Sequence, residues 1–313
     1  MLGRTAGNLY WTFRYLERAE NMARLVDAGF RIALTHSSSV DNEWVSVLQA
    51  TNSQETYDAL NDGYATRTVV NFLLREAGHP SSVLAAMLRA RTNARAARTA
   101  LTREVWEAVN GAWIQISDAL NRPVAQSNLP AVLTLIRQQC ALVRGAMRGT
   151  MLRNDIFGFS EMGMLVERAD ATARILDVKY YVLLPSASLV GSRIDNIQWE
   201  TILRAVSADR AFNWLNGGDI SASAIADFLI FDRRLPRSLS YCYHAMEQTF
   251  GYLGRDLTDP PDSYRSVRDT TRRLDTLTVT DVLESGLHEF VEAFIAGNNA
   301  LGRQFERDFR FLE

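Results

Sequence analysis

Two short segments of this sequence carry acidic and basic side chains at the same spacing. Each segment has Glu followed directly by Arg, with a second acid three residues and a second Arg seven residues after the Glu. Guanidinium groups beside carboxylates suit bidentate recognition of a carboxylate, a phosphate or a peptide end, or an ion-pair network between two elements. The candidate binding or interface residues are Glu17, Arg18, Glu20, Arg24, Glu167, Arg168, Asp170 and Arg174.

A plainer interpretation is that these residues form exposed ion pairs on the surface of two helices. In each segment the second acid precedes the second Arg by four residues, a spacing that stabilises an exposed helix by only a few tenths of a kcal/mol. Other polar residues of the first segment change character in the second, since Arg14 and Asn21 correspond to Met164 and Ala171. Because the Glu and Arg positions are retained while these other polar positions change, we favour a functional or interface role for the retained residues.

The two segments belong to a longer internal similarity. Residues 15–27 align without gaps on residues 165–177 at an offset of 150, with six of thirteen positions identical, where composition alone would give about one. Further matches at an offset of 156 pair Phe72, Pro80 and Ser82 with Phe228, Pro236 and Ser238. We interpret the chain as two copies of one helical unit, 1–150 and 151–313. Fused copies usually pack about a pseudo-twofold axis, which predicts one compact, bilobed helix bundle.

Helices must position these side chains, because apolar residues recur with helical period along nearly the whole chain. Leu16, Ala19, Ala23 and Val26 are one such series, and no segment has the pattern of a β-hairpin. The predicted fold class is therefore all-α. Helices are predicted at 5–34, 41–51, 53–61, 66–77, 80–121, 128–151, 157–184, 195–207, 220–231, 236–255, 262–274 and 279–311.

Composition and charge restrict the classes of function. The 313 residues are 47% hydrophobic, and 34 basic residues nearly balance 36 acidic ones, so no long-range positive field favours nucleic acid as a partner. The two cysteines, Cys140 and Cys242, have no paired spacing, which is typical of a reducing compartment without disulfides. No apolar stretch is long enough to cross a membrane, and we expect a cytoplasmic protein.

The sequence has no recognisable metal or cofactor motif. The four histidines share no ligand spacing with one another or with the cysteines. A glycine-rich phosphate loop, a nucleophile elbow and a protease-type Cys/His arrangement are also missing. We therefore predict no metal and no cofactor, and no catalytic residue is assigned from sequence.

The chain resembles the Alpha-E family, a helical domain named for its Glu-Arg motif. The resemblance rests on the opening residues 1–11 with residues 14–24, and extends to later landmarks at 80–83, 93–98, Trp106 and 236–238. Gly3 stands where Ser is more usual. Members are typically encoded or fused beside circularly permuted ATP-grasp ligases and transglutaminase-like proteins, which the resemblance implies as partners.

The resemblance and the residues together lead to two hypotheses about function. In the first, the protein is an accessory or binding subunit of an ATP-grasp amide-ligase system and recognises a peptide, a carboxylate or the ligase through its Glu-Arg helices. In the second, it is an enzyme acting on an amide or peptide, with Glu17 or Glu167 as general base and the neighbouring arginines as anion clamps. A purely structural role for the Glu-Arg pairs is a third interpretation.

Overall fold

A computed structural model describes residues 3–35, 40–183, 193–217, 220–253 and 259–312. These residues form α-helices and short 3-10 turns and contain no strand, so the predicted all-α class is confirmed. The helices are α1 (Gly3–Thr35), α2 (Val40–Ala50), α3 (Gln54–Asp58), α4 (Thr66–Arg75), α5 (Val83–Ala96), α6 (Arg103–Ala119), α7 (Leu129–Thr150), α8 (Asp155–Leu183), α9 (Arg193–Ala205), α10 (Asp209–Asn216), α11 (Ala222–Phe231), α12 (Leu239–Leu253), α13 (Asp262–Thr276), α14 (Val279–Ser285) and α15 (Leu287–Asp308).

The single helix predicted over 80–121 is wrong, because two helices occupy this stretch. The side chain of Ser82 accepts a hydrogen bond from the backbone N–H of Ala85 and so begins α5. The chain becomes extended at Leu101, and Thr102 then accepts from the N–H of Val105 to begin α6. Thr is a favoured N-cap. Its capping hydrogen bond stabilises the start of a second helix where the apolar periodicity alone predicts one continuous helix.

Two further differences from the predicted helices follow from glycines. The helix predicted over 279–311 divides into α14 and α15 at Gly286, which has a φ of 95°. Helix α10 was not predicted, and it ends at Gly217 with a φ of 61°. Because positive φ is readily adopted by Gly, both residues end helices here. The last predicted residues of 157–184 and 236–255 lie outside the described residues.

Helices α1 and α8 pack together at the centre of the fold, and the other helices surround them. The apolar side chains divide into two cores. One contains Phe13 and Trp44 from the first half of the chain, and the other contains Phe212 from the second half. The division is not complete, because Tyr10 of α1 belongs to the second core and Met164 of α8 to the first. The two central helices therefore contribute to both cores.

Some local features recur in the two halves. Helices α2 and α9 end at Ala50 and Ala205, and the second residue after each end has a positive φ, 51° at Asn52 and 58° at Ser207. Helices α7 and α15 are both 22 residues long. A duplication would produce such matches, although the duplication itself and the boundary near residue 150 stay predictions.

Cys140 and Cys242 are buried, free thiols, in agreement with the expectation of no disulfide. Burial raises the pKa of both thiols, so they remain protonated at neutral pH.

Among the described helices, none combines the length and apolar character needed to traverse a lipid bilayer.

The two central helices come very close at Gly163 of α8. A Cβ atom at this position would lie 2.1 Å from the carbonyl oxygen of Tyr10 in α1. Backbone atoms cannot move aside as the end of a flexible side chain can. Gly163 therefore sets the separation at which the charged residues of α1 and α8 face one another.

We predict that Gly163→Ala lowers the free energy of unfolding by ~1–3 kcal/mol, since the added methyl group forces the two backbones apart. Gly145→Ala is a matched control, because Gly145 lies inside α7 with no atom near the added Cβ. This control should stabilise the protein by up to ~1 kcal/mol through helix propensity. Urea unfolding followed by circular dichroism measures both, and equal effects of the two substitutions would contradict the close approach.

Candidate functional site

The two Glu-Arg pairs exchange partners between α1 and α8. Glu17 accepts two hydrogen bonds from Arg168, at 3.0 Å from Nε and 3.0 Å from Nη2. Reciprocally, Glu167 accepts two from Arg18, at 2.5 Å from Nε and 2.8 Å from Nη2. Both contacts have the bidentate geometry that is specific to guanidinium and carboxylate. The two Glu-Arg helices therefore contact one another through these side chains.

Around Glu17 and Glu20 the charged network is closed. The Arg237 guanidinium lies 3.0 Å from Glu17 and 2.8 Å from Glu20. Arg144 of α7 donates to both carboxylates, and Arg24 donates to Glu20. The Glu17 side chain is 1% exposed and that of Glu20 is 0% exposed. This part of the site therefore leaves little room for a ligand.

The contacts with arginine lower the pKa values of Glu17 and Glu167. Burial alone would raise the pKa of Glu17, but Arg168, Arg237 and Arg144 outweigh desolvation and hold it well below its usual value. Desolvation of Glu167 is likewise outweighed by Arg18 and Arg14, which lower its pKa to about 2. Both carboxylates are thus ionised at neutral pH and are weak bases.

Arg24 and Arg174 also connect the two halves of the chain. Arg24 donates Nη1 to the carbonyl oxygen of Ala205 at 2.9 Å, and Arg174 donates Nη1 to that of Ala50 at 3.0 Å. These carbonyls belong to the last residues of α9 and α2, where helical carbonyls lack partners within their own helix. Each Arg therefore caps a helix of the opposite half while pairing with the acid four residues before it.

Around Glu167 and Asp170 the network contains fewer cations. Arg14 donates Nε to Glu167 at 2.9 Å and Nη1 to the Tyr10 hydroxyl at 3.0 Å. Across both parts of the network, seven guanidinium groups face four carboxylates, leaving an excess of three positive charges. The arginines are Arg14, Arg18, Arg24, Arg144, Arg168, Arg174 and Arg237.

A cavity of about 340 Å³ lies beside this second part of the network. Its charged lining consists of Arg14, Arg18, Arg174, Glu167 and Asp170, so positive charge predominates. The neutral polar lining comprises Asn21, Thr51, Asn52, Thr56, His79, Ser81 and Asn299, and the apolar lining comprises Met22, Leu25, Pro80 and Ala171. The cavity thus combines hydrogen-bond donors with an apolar wall.

Several donor groups in the cavity lining remain uncommitted within the described part of the chain. The Nδ2 group of Asn21 is buried and has no hydrogen-bond partner there. Arg14 and Arg18 use Nε and one terminal nitrogen each, which leaves the other terminal nitrogen of each available. A buried donor without a partner is costly, and an anion entering the cavity would satisfy these groups.

His79 adds a neutral side to the cavity. Desolvation lowers the pKa of His79 to about 4, so the ring is uncharged at neutral pH. It stacks on Phe72 with ring centroids 4.6 Å apart, and Nε2 lies 3.3 Å from Ser53 Oγ. The positive charge of the cavity therefore comes from its arginines.

The open and closed parts of the network differ at one pair of matching positions. Ser81 lines the cavity, and at the offset of 156 its counterpart is Arg237. Ser82 and Ser238, which follow these residues, make the same capping contact, each accepting from the backbone N–H three residues later. Where Arg237 fills the space beside Glu17 and Glu20, the short side chain of Ser81 leaves space beside Glu167 and Asp170.

The eight candidate residues lie in one charged cluster, in which ion pairs join Glu17 with Arg168, Glu20 with Arg24, Glu167 with Arg18 and Asp170 with Arg174. The alternative that they form exposed surface pairs is wrong, since Glu17, Glu20, Glu167 and Arg168 are buried. Sequence comparison missed Arg14, Arg144 and Arg237 because each is present in only one half. One available signal was the landmark at 236–238, which contains Arg237.

Comparison with known proteins agrees with this architecture. The Alpha-E family, described as a predicted alpha-helical domain with a conserved ER motif, matches residues 1–309. The chain belongs to the Alpha-E family. Glu17-Arg18 and Glu167-Arg168 are the two Glu-Arg sequences of this Alpha-E chain, and they meet at its centre.

Relatives of this Alpha-E chain include uncharacterised proteins of Mycobacterium bovis and Mycobacterium tuberculosis. Each is 23% identical over 283 residues, which cover 85% of this chain and 30% of the relative. The chain therefore spans about a third of the length of these relatives. No solved structure matches the chain.

We predict that Glu17→Gln lowers the free energy of unfolding by ~3 kcal/mol or more, because the buried Arg168 loses its carboxylate partner and Arg144 and Arg237 keep only Glu20. Glu107→Gln is the matched control, since Glu107 pairs with Arg103 on the exposed surface of α6. Urea unfolding should show a large shift of the midpoint for the first variant and almost none for the second. Equal midpoints would contradict a buried, stabilising role for the Glu17 charge.

Acid should destabilise the protein in a defined range of pH. The pKa of Glu167 falls from the usual 4.5 to about 2 on folding, so its stabilising contribution is complete above about pH 4.5 and is lost as pH falls towards 2. We expect Glu167→Gln to be less stable than the parent at pH 6 and to lose less stability between pH 4.5 and 2.5. Unfolding curves at these pH values measure the difference, and parallel losses would exclude Glu167 as a contributor.

Proposed function

We propose that this Alpha-E protein is a binding protein that recognises the carboxylate end of a peptide in the cavity beside Glu167. The observation that carries the proposal is the surplus of guanidinium groups in the cavity lining, with one free terminal nitrogen each on Arg14 and Arg18. A carboxylate would accept hydrogen bonds from these nitrogens and from Asn21 Nδ2. It would also reduce the excess positive charge.

The size and lining of the cavity support a small organic ligand with an anionic end. A volume of about 340 Å³ lies at the lower end of the range of ligand pockets, ~300–1,000 Å³. Met22, Leu25 and Pro80 give it an apolar side that fits the carbon atoms of a peptide. Arg is well suited to this task because its planar group matches a carboxylate in two hydrogen bonds.

A catalytic role for the glutamates is less well supported. A general base acts best when its pKa lies near the working pH, whereas the pKa of Glu167 is lowered to about 2 and that of Glu17 lies well below its usual value. Glu17 is also enclosed by Arg168, Arg237 and Arg144. The geometry therefore favours binding over the alternative of an amide- or peptide-processing enzyme that uses these bases.

The resemblance to Alpha-E proteins supplies the proposed context. We propose that the chain acts in the cytoplasm as an accessory subunit that presents a peptide to a circularly permuted ATP-grasp ligase, with a transglutaminase-like protein in the same system. A carboxylate is the group that an amide ligase joins to an amine, so a subunit that holds a peptide carboxylate fits this association. In this proposal the charged network around Glu17 stabilises the fold, and the network around Glu167 binds the peptide carboxylate.

We predict that a peptide with a free C-terminal carboxylate binds the protein. The same peptide with a C-terminal amide should not bind. Isothermal titration with acetyl-trialanine and its amide measures this. Arg18→Gln should weaken binding of the acid by about tenfold or more, because a charge-assisted hydrogen bond is lost.

Ser81→Arg should abolish binding by placing a guanidinium group in the cavity, as Arg237 does on the other side. Ser117→Arg is the matched control, because Ser117 is half-buried on α6 and is not part of the cavity lining. Equal binding of acid and amide, or binding unaffected by Ser81→Arg, would disprove the proposal.

A further inference from the structure

The edge of the cavity carries a further arginine, which takes no part in the ion-pair network. Arg89 is exposed on α5 and donates Nη1 to the carbonyl oxygen of Pro80 at 2.7 Å. Pro80 is part of the cavity lining, so this contact locates Arg89 at the rim. Within the described residues Arg89 has no carboxylate within ion-pair distance.

Tyr15 connects this rim arginine with the interior of the cavity. The Arg89 guanidinium carbon lies 5.8 Å from the centre of the Tyr15 ring, and that of Arg18 lies 5.6 Å from the same centre. Both cations thus contact one aromatic ring, which orients guanidinium groups through its π-face. Because Arg18 also lines the cavity, Arg89 shares the Tyr15 ring with a cation of the cavity wall.

The spacing of the two cations limits where a ligand's charges can lie. Two groups that contact one ring are separated by no more than about three extended peptide residues, at ~3.4 Å per residue. An exposed arginine that is already paired with a carboxylate would attract an anionic ligand only weakly. Arg89 has no such partner among the described residues, so its full charge can attract one.

Building on the proposed carboxylate site, we infer that the ligand is an acidic peptide, with Asp or Glu among its last three residues, whose side-chain carboxylate pairs with Arg89 at the rim while its terminal carboxylate enters the cavity. The site then contains two anion positions, one buried and one exposed. The buried position supplies most of the affinity, and the rim position selects acidic sequences.

Binding of two fluorescently labelled pentapeptides, Gly-Gly-Ala-Glu-Ala and Gly-Gly-Ala-Gln-Ala, each with a free C-terminus, tests this inference by anisotropy. The parent protein should prefer the Glu peptide by about fivefold, the value of one partly exposed ion pair. Arg89→Gln should remove this preference and leave affinity for the Gln peptide unchanged. Arg95→Gln is the matched control, since Arg95 is exposed on the same helix, and it should preserve the preference.

The outcomes separate this inference from the proposed function. Equal affinity of the parent for both peptides, or equal loss of both peptides in Arg89→Gln, would overturn the rim position while the carboxylate site stands. Failure of both peptides to bind would overturn the carboxylate site and the rim position together. Loss of preference in Arg95→Gln as well as in Arg89→Gln would show a diffuse field in place of a specific contact.

Discussion

The reciprocal contact between Glu17-Arg18 and Glu167-Arg168 is the interaction on which the rest of the structure depends. Glu17, Glu167 and Arg168 are removed from water at the centre of the fold, and each is acceptable there only when its partner is in place. A bidentate contact requires one rotation and one position of each helix, so the charges specify the register of α1 against α8. Gly163 allows the necessary close approach. The apolar cores can then form on both sides of a fixed pair of helices.

The network is not equally complete on its two sides, and this difference leaves a cavity on the side of Glu167. On one side Arg144 and Arg237 fill the space around the glutamates. On the other side Arg14 supplies one cation, and Gly302 provides the space for it, because a Cβ atom there would lie 3.0 Å from Arg14 Nη1. Ser81 occupies the position that corresponds to Arg237, and its short side chain leaves the space beside Glu167 open. Two similar Glu-Arg helices therefore have one closed and one open surrounding.

Much of the fold and part of the site could be predicted from sequence. The helical period predicted the all-α class, and the repeated spacing of Glu and Arg identified eight residues that meet in one network. The breaks at Leu101 and Gly286 were missed because one cap or one glycine interrupts an otherwise continuous apolar pattern. Arg144, Arg237 and His79 were missed for another reason. They come from distant parts of the chain, and each lacks a like residue in the other half, so only the packing of helices brings Arg144 and Arg237 to Glu17 and Glu20 and His79 to the cavity.

The position of Arg237 has a consequence for how the chain acquires its structure during synthesis. Glu20 can pair at once with Arg24, but Glu17 is synthesised 151 residues before Arg168, which makes its bidentate contact, and Arg237 follows later still. At roughly 5–20 residues per second, Glu17 waits on the order of ten seconds or more for this partner. Burial of α1 before then would leave ionised carboxylates in an apolar core. The Glu17 face of α1 must therefore stay hydrated until Arg168 and Arg237 have been made, and α1 can adopt its final packing only after that.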